Sequence, residues 1–210
     1  MASYRIPLEA DSYYHIYNHA NGSDDLFKSP RNCSFFLSKF IKYISPIADT
    51  FAYCLMYNHF HVMIRIKPER DLVAFFRLGH PSGLKDAKGL ASGKNINILL
   101  SRQFNNLFNS YAKAFNLQQN RMGSLFNHPF KRKQITTEEH IINMILYIHC
   151  NPVHHRFVKN INNWKYSSYP AIVSGQTTFV SVNEVIALFG DLENFKFVHQ
   201  THHEAQPTSR

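Results

Sequence analysis

The residues best suited to chemistry are two histidines in a short apolar run, His59 and His61, which flank Phe60. The run from Tyr53 to Ile66 is rich in aromatic and branched side chains, which favours an extended chain. Side chains of a strand alternate between its faces, so both imidazoles point one way and Phe60 points the other. Two imidazoles on one face could begin a divalent metal site. Because the chain holds 13 histidines, a structural or simply exposed pair is the alternative.

A second candidate group lies on a predicted helix that begins at Glu138 and ends at Pro152, with threonines at 136–137 as candidate N-caps. Tyr147 and Asn151 are four residues apart, so they share a helical face. A phenol and a carboxamide on one face could meet the histidine pair across a packed sheet. The alternative is a surface tyrosine followed by an asparagine C-cap.

Five short segments, in this order, carry a resemblance to a known family. They are Tyr14–His19, Tyr53–His61, Gly123–Lys131, Tyr147–Val153 and Trp164–Tyr169. The combination resembles the single-tyrosine HUH endonucleases, where U is a hydrophobic residue, and within them the REP-associated tyrosine transposases. This resemblance implies an α+β fold in which a ferredoxin-like antiparallel sheet is flanked by helices.

The sequence departs from the family pattern at three places. The family usually has proline where Tyr57 stands, and often an arginine-glycine pair where His19 and Ala20 stand. It usually has arginine at the position of His154 and His155. None of these departures removes a group to which the resemblance assigns catalysis.

The resemblance also implies a function and a set of site residues. Tyr147 would be the nucleophile of an enzyme that nicks and rejoins single-stranded DNA through a 5′-phosphotyrosine, at palindromic repeat hairpins. His59, His61 and Asn151 would hold a divalent ion, for which Mg²⁺ or Mn²⁺ is expected. One alternative is a catalytically idle or domesticated relative that only binds structured single-stranded DNA. Another is a metal-dependent hydrolase, although the signature strands contain no carboxylate base near His59.

Most candidate DNA-binding residues lie in or near the basic segment that precedes the predicted tyrosine helix, and one lies in the first predicted strand. A positively charged groove beside aromatic rings is typical of single-stranded DNA binding. The alternative for the charged run is a solvated surface. The candidates are Lys131, Arg132, Lys133, Arg121, Phe130 and Asn18.

Composition fits a folded protein with a polyanionic partner. The chain of 210 residues has a formal net charge of +9, and 44% of its residues are hydrophobic. No apolar stretch approaches the ~20 residues needed to cross a bilayer, and no signal-peptide core is visible at the start. The three cysteines lack metal-type spacing, which favours a reducing cytoplasm. We expect a monomer or a homodimer.

The predicted elements alternate in an α+β order. We expect a DNA-processing domain over residues 1–170, with an inserted flexible loop at about 80–96, and a C-terminal extension over 171–210 with a flexible end. Predicted strands are 13–19, 51–57 and 59–67, with a short strand or hairpin within 124–135. Predicted helices span about 29–44, 69–79, 97–115 and 138–152. His199, His202 and His203 have the spacing of a metal cluster, but a disordered histidine-rich tail is expected.

Overall fold

The computed structural model describes residues 6–78, 96–127 and 129–205. Within these ranges the strands are β1 (Tyr13–His19), β2 (Ala48–Leu55), β3 (His59–Ile66) and β4 (Lys131–Ile135). The helices there are α1 (Pro30–Tyr43), α2 (Glu69–Leu78), α3 (Ile96–Gln118), α4 (Glu138–His154), α5 (Tyr169–Ser174), α6 (Val182–Leu188) and α7 (Leu192–Ala205). No helix in the described ranges is both long and apolar enough to cross a membrane.

The four strands form one sheet in the order β2-β3-β1-β4, and every neighbouring pair is antiparallel. With α1 between β1 and β2, and α2 and α3 between β3 and β4, this connectivity is ferredoxin-like. The predicted α+β fold, an antiparallel sheet flanked by helices, is therefore confirmed. The predicted loop at about 80–96 lies outside the described residues, apart from Ile96, where α3 begins.

Phe60 anchors the core on one face of the sheet. Its ring centroid lies 5.1 Å from that of Phe36 on α1 and 5.9 Å from that of Phe108 on α3. α1 and α3 also pack against each other, so these helices cover this face. Because the neighbours of Phe60 point to the other face, its burial fixes the direction of His59 and His61.

Helix α4 covers the opposite face and contacts β2 and β3. It begins where the sequence predicts, because the Thr137 hydroxyl accepts a hydrogen bond from the backbone N–H of His140 at 3.2 Å. Its predicted end is wrong, since the helix continues through Pro152 to His154. Pro152 lies in the last turn, where the missing N–H costs one intrahelical bond rather than breaking the helix.

The C-terminal segment packs on this framework. Isolated bridges join Val180 to Thr50 and Ser167 to Cys54, so the segment extends the β2 edge of the sheet. Helix α7 then lies against α4, and His199 is fully buried between them. The expectation of a disordered histidine-rich tail is thus wrong for His199. The domain boundary at residue 170 stays a prediction.

A buried hydrogen-bond chain joins α7 to α4. His199 donates from Nδ1 to the Phe195 carbonyl at 2.7 Å, so its Nε2 accepts from His149 Nδ1 at 2.8 Å. His149 Nε2 in turn accepts from the Ser168 hydroxyl at 2.7 Å. Both imidazoles are neutral in this arrangement. Burial lowers the pKa of His199 to about 4, with the nearby His202 adding to the shift, and lowers the pKa of His149 well below its usual range.

These buried, neutral histidines predict that the folded protein loses stability in mild acid. Because the folded-state pKa of His199 is below its unfolded value of 6.5, its contribution is present above pH 6.5 and is lost as pH falls towards 4. His199→Gln removes the titrating group and should weaken this dependence. Between about pH 7.5 and pH 5, the free energy of unfolding of wild type should fall by about 2 kcal/mol more than that of the variant. Urea unfolding at about pH 7.5 and pH 5 measures the difference. His140→Gln is the control, and equal losses in wild type and His199→Gln would contradict the prediction.

Candidate active site

One face of the sheet carries a patch of imidazole and phenol side chains. On β1, His15, Tyr17 and His19 alternate with residues of the opposite face, and on β3 His59 and His61 do the same. The register pairs Tyr17 with His61 and His19 with His59, so the side chains stand side by side. The ring centroids of His19 and His59 are 4.6 Å apart, and those of His59 and His61 are 5.1 Å apart.

Hydrogen bonds orient both predicted metal-binding imidazoles. His59 donates from Nδ1 to the Asn58 side-chain oxygen at 2.7 Å, and His61 Nδ1 pairs with His15 Nε2 at 2.9 Å. In each ring these contacts use Nδ1 and leave Nε2 as the remaining nitrogen. Metal-binding histidines in proteins are commonly fixed in this way through the nitrogen that does not bind the ion.

The three most buried imidazoles of this patch, on His15, His59 and His61, are uncharged at neutral pH. Burial lowers the pKa of His59 to about 4, of His61 to about 2 and of His15 to about 3. Neighbouring histidines add to the shifts of His59 and His61, because protonation would place positive charges close together. Neutral imidazole is the form that binds a metal ion.

Helix α4 brings Tyr147 and Asn151 to this patch. The Tyr147 ring centroid lies 5.4 Å from that of His61 and 6.1 Å from that of His15. Tyr147 is 40% exposed, whereas Asn151 is 1% exposed. The Asn151 amide donates to the Tyr147 carbonyl at 3.1 Å, and its side chain also interacts with His59 and favours protonation of that ring. The predicted meeting of this helix face with the histidine pair is confirmed; the roles of the residues stay predictions.

The predicted basic cluster is divided between the two faces of β4. Lys131 and Lys133 are exposed, and they stand beside Tyr17 and His15 respectively. The Lys131 ammonium lies 5.8 Å from the Tyr17 ring centroid. Arg132 points to the other face, where it is buried near the Phe130 ring, so only the lysines share the face of the histidine pair.

The remaining DNA-binding candidates are engaged elsewhere. Phe130 is 8% exposed and stacks on Phe104 at 5.1 Å, so its ring belongs to the core. Asn18 is buried on the Phe60 face of the sheet and accepts a hydrogen bond from the backbone of His19. Arg121 forms an ion pair with Asp24 at 2.6 Å. The structure brings none of these three to the histidine pair, and their contacts with DNA stay predictions.

Sequence reasoning did not assign His15, Tyr17 or His19 to the site. The signal was present, because the period of two that was applied to β3 also places these three residues on one face of β1. The period of two does not indicate which strands are neighbours, and only the fold shows that β1 pairs with β3. Tyr17 stacks on His15 with ring centroids 4.7 Å apart. Burial raises the pKa of Tyr17, and the nearby Tyr147 phenol adds to that shift.

The end of α4 places a further imidazole beside His59. The N–H of Phe157 bonds to the Pro152 carbonyl and that of Arg156 to the Val153 carbonyl, which is the Schellman pattern of a helix C-terminus. This turn puts Arg156 in the left-handed region, with φ 60. His155, the C-cap, then has its ring centroid 5.0 Å from that of His59.

The sheet, the histidine pair on strand β3 and the tyrosine-bearing helix give the arrangement that the resemblance to the HUH endonucleases implies. No family model matches the chain. A Haemophilus influenzae protein named "Putative REP-associated tyrosine transposase" is 24% identical over 123 residues, 58% of this chain and 58% of that protein. A solved structure of a REP-associated tyrosine transposase bound to a REP hairpin covers 85% of this chain and 90% of its own, with a TM-score of 0.58 and 16% identity. The resemblance to REP-associated tyrosine transposases is thus found again in sequence and in fold.

The left-handed residue at the end of α4 gives a stability prediction. An L-residue in this conformation costs roughly 1–2 kcal/mol, and glycine is the usual residue at this helix position. Arg156→Gly should therefore be more stable than Arg156→Ala by about 1 kcal/mol, since both lose the charge and only glycine relieves the backbone. Urea unfolding of the two variants measures this. Equal stabilities would show that the turn opens or that Arg156 is not strained.

Proposed function

We propose that this protein is a metal-dependent single-stranded DNA transposase or endonuclease that nicks and rejoins DNA through a 5′-phosphotyrosine intermediate. The observation that carries the proposal is the position of Tyr147, partly exposed on α4 with its ring 5.4 Å from that of His61. A tyrosine beside two oriented, uncharged imidazoles combines a nucleophile with part of a metal site.

The residues of the site fit a divalent ion. His59 and His61 each keep Nε2 free of the hydrogen bonds that orient their rings, and the Asn151 amide lies next to His59. Within the described residues no three His, Cys, Asp or Glu side chains are grouped to hold a metal, so a third protein ligand here would be the Asn151 oxygen. Mg²⁺ or Mn²⁺ would neutralise the charge that develops on the scissile phosphate.

Attack by Tyr147 exchanges one phosphodiester bond for another, so it needs no outside source of energy. The Tyr147 oxygen attacks phosphorus and its proton leaves to water, which reaches this partly exposed side chain. The bond from phosphorus to the 3′ oxygen breaks, and that oxygen takes up a proton to become a free 3′-hydroxyl. The 5′-phosphotyrosine keeps the energy of the broken bond, so attack by a 3′-hydroxyl rejoins DNA and restores Tyr147.

We propose hairpins of palindromic repeats as the DNA partner, because the similar solved structure is described as bound to a REP hairpin. The net charge of +9 supports a polyanionic partner. Lys131 and Lys133, exposed on the face of the histidine pair, are suited to backbone phosphates. The three cysteines, Cys33, Cys54 and Cys150, are free and buried. We propose that the protein acts in the cytoplasm, where thiols stay reduced.

The first functional prediction concerns the ion. Cleavage of single-stranded hairpin DNA should vanish with EDTA and return with Mg²⁺ or Mn²⁺. His59→Ala and His61→Ala should each lower cleavage by at least about 100-fold, because each removes a ligand. DNA affinity should change little, since lysines and arginines supply most of it. His140→Gln is the control, because His140 is a histidine of α4 outside the proposed ligand set. Full cleavage by the double histidine variant would exclude the pair as ligands.

The second functional prediction concerns the nucleophile. Tyr147→Phe removes one oxygen and keeps the ring, so the fold and DNA affinity should stay near wild type while the covalent product disappears. The measurement is label transfer on denaturing gels from hairpin oligonucleotides labelled at the 3′ end, because a 5′-phosphotyrosine keeps that end on the protein. Tyr17→Phe is the stringent comparison, since Tyr17 also contacts His61, and it should still form the adduct.

Two results would change the assignment. Label captured by Tyr147→Phe but not by Tyr17→Phe would move the nucleophile to Tyr17. Hairpin binding by wild type with no label captured, in the presence of Mg²⁺ or Mn²⁺, would favour the relative that only binds DNA.

A further inference from the structure

A stack of aromatic rings leads away from the histidine pair. Phe157 lies between His155 and Trp164, with ring centroids 5.9 and 5.6 Å away and interplanar angles of 20° and 23°. Tyr57 stands nearly perpendicular to Phe157 and Trp164, at 71° and 89°. Since His155 also contacts His59, these four rings form a surface that starts at the proposed metal site. We call it the Tyr57 surface.

The backbone and buried hydrogen bonds hold these rings in place. The Tyr57 carbonyl accepts hydrogen bonds from the N–H groups of Leu26 and Phe27, at 2.7 and 2.9 Å. The Trp164 indole N–H donates to the Leu55 carbonyl at 3.1 Å. Phe157 is positioned by the Schellman turn at the end of α4. A ligand would therefore meet rings that are already ordered, which lowers the entropic cost of binding.

Two rings of the Tyr57 surface are partly exposed to solvent. Tyr57 is 46% exposed and Phe157 is 38% exposed, although Trp164 beneath them is buried. Phe157 already has two near-parallel neighbours, the rings of His155 and Trp164. Phe157 and Trp164 meet Tyr57 only in T-shaped contacts, and the exposed part of Tyr57 leaves room for a ligand to stack on it.

Positive charges border this surface. Lys28 and Tyr57 line a pocket of about 110 Å³ that also includes Tyr166. The Lys165 ammonium lies 5.4 Å from the Tyr166 ring centroid. Arg156 is exposed between the two surface residues His155 and Phe157. Cations beside an exposed, ordered aromatic ring match single-stranded nucleic acid, in which charged phosphates alternate with flat bases.

We propose that the Tyr57 surface is a subsite for an unpaired base of the DNA strand next to the scissile phosphate, stacked on Tyr57. This inference rests on the proposed function and adds to it a position on the strand and the residue that holds it. Because every base has an aromatic face, Tyr57 would hold the strand with little sequence preference. The base would keep the scissile phosphate close to His59 and Tyr147.

The test is a binding experiment that needs no cleavage. A repeat hairpin carries 2-aminopurine at one unpaired position at a time, and binding is followed in Tyr147→Phe, which keeps the substrate intact. Stacking should quench the probe at one position adjacent to the cleavage site. Tyr57→Leu should abolish that quenching and weaken binding by about five- to 150-fold. Tyr57→Phe keeps the ring and should retain both. Phe197→Leu, at an exposed ring on α7, is the control and should change neither.

An abasic nucleotide at the quenched position provides a matched check. It should weaken binding by the Tyr147→Phe protein but not by its Tyr57→Leu derivative, because the ring and the base are then both absent. Hairpin binding and quenching that do not depend on Tyr57 would overturn the subsite and leave the proposed function standing. Absence of hairpin binding would overturn both. If Tyr57→Leu changed the sedimentation of the protein and not its DNA binding, the surface would be a contact between copies of this chain.

Discussion

The burial of Phe60 between Phe36 and Phe108 is the contact on which the site depends. Burying such a ring stabilises the fold by about 1.5–3 kcal/mol, and it does so on one face of β3 only. If the pairing register of β3 shifted by one residue, Phe60 would point towards α4, and His59 and His61 would point into the core beneath α1 and α3. The apolar residue between the histidines therefore sets the side of the sheet on which both imidazoles stand.

Helix α4 must satisfy two separate sets of contacts. Tyr147 and Asn151 face β1 and β3, while His149, two residues from each, faces Ser168 and His199. Two residues correspond to about 200° around a helix, so these contacts lie on nearly opposite sides. Contacts on both sides fix the rotation of α4 about its axis better than contacts with the sheet alone would. The C-terminal segment, which carries none of the residues assigned to the chemistry, thus takes part in aiming the tyrosine.

Local periodicity predicts much of this arrangement, and long-range packing accounts for what it misses. A period of two in β3 pairs His59 with His61, and the spacing of four in α4 pairs Tyr147 with Asn151. The resemblance to the HUH endonucleases, rather than either period, assigned the two pairs to one site. The run Lys131-Arg132-Lys133 was read as one cluster, but a strand divides it between two faces, and Arg132 is buried. Some of the neighbours that bury Phe130 and His199 lie on α3, α4 and α5, far away in sequence, and no local pattern could indicate their contribution. The departures at Tyr57 and His155 were visible, but their contacts with the intervening Phe157 required the fold.

The hydrogen bond from the Asn151 amide to the Tyr147 carbonyl spans one turn of one helix. Under the proposed function this turn carries both the nucleophile and a ligand of the ion, so a rigid displacement of α4 removes both together. Docking of the helix and occupancy of the ion site are then reciprocal: each favours the other by the same free energy. A protein built in this way has no state that holds its ion with full affinity while its tyrosine is withdrawn. The ion would thereby report whether the nucleophile is in place.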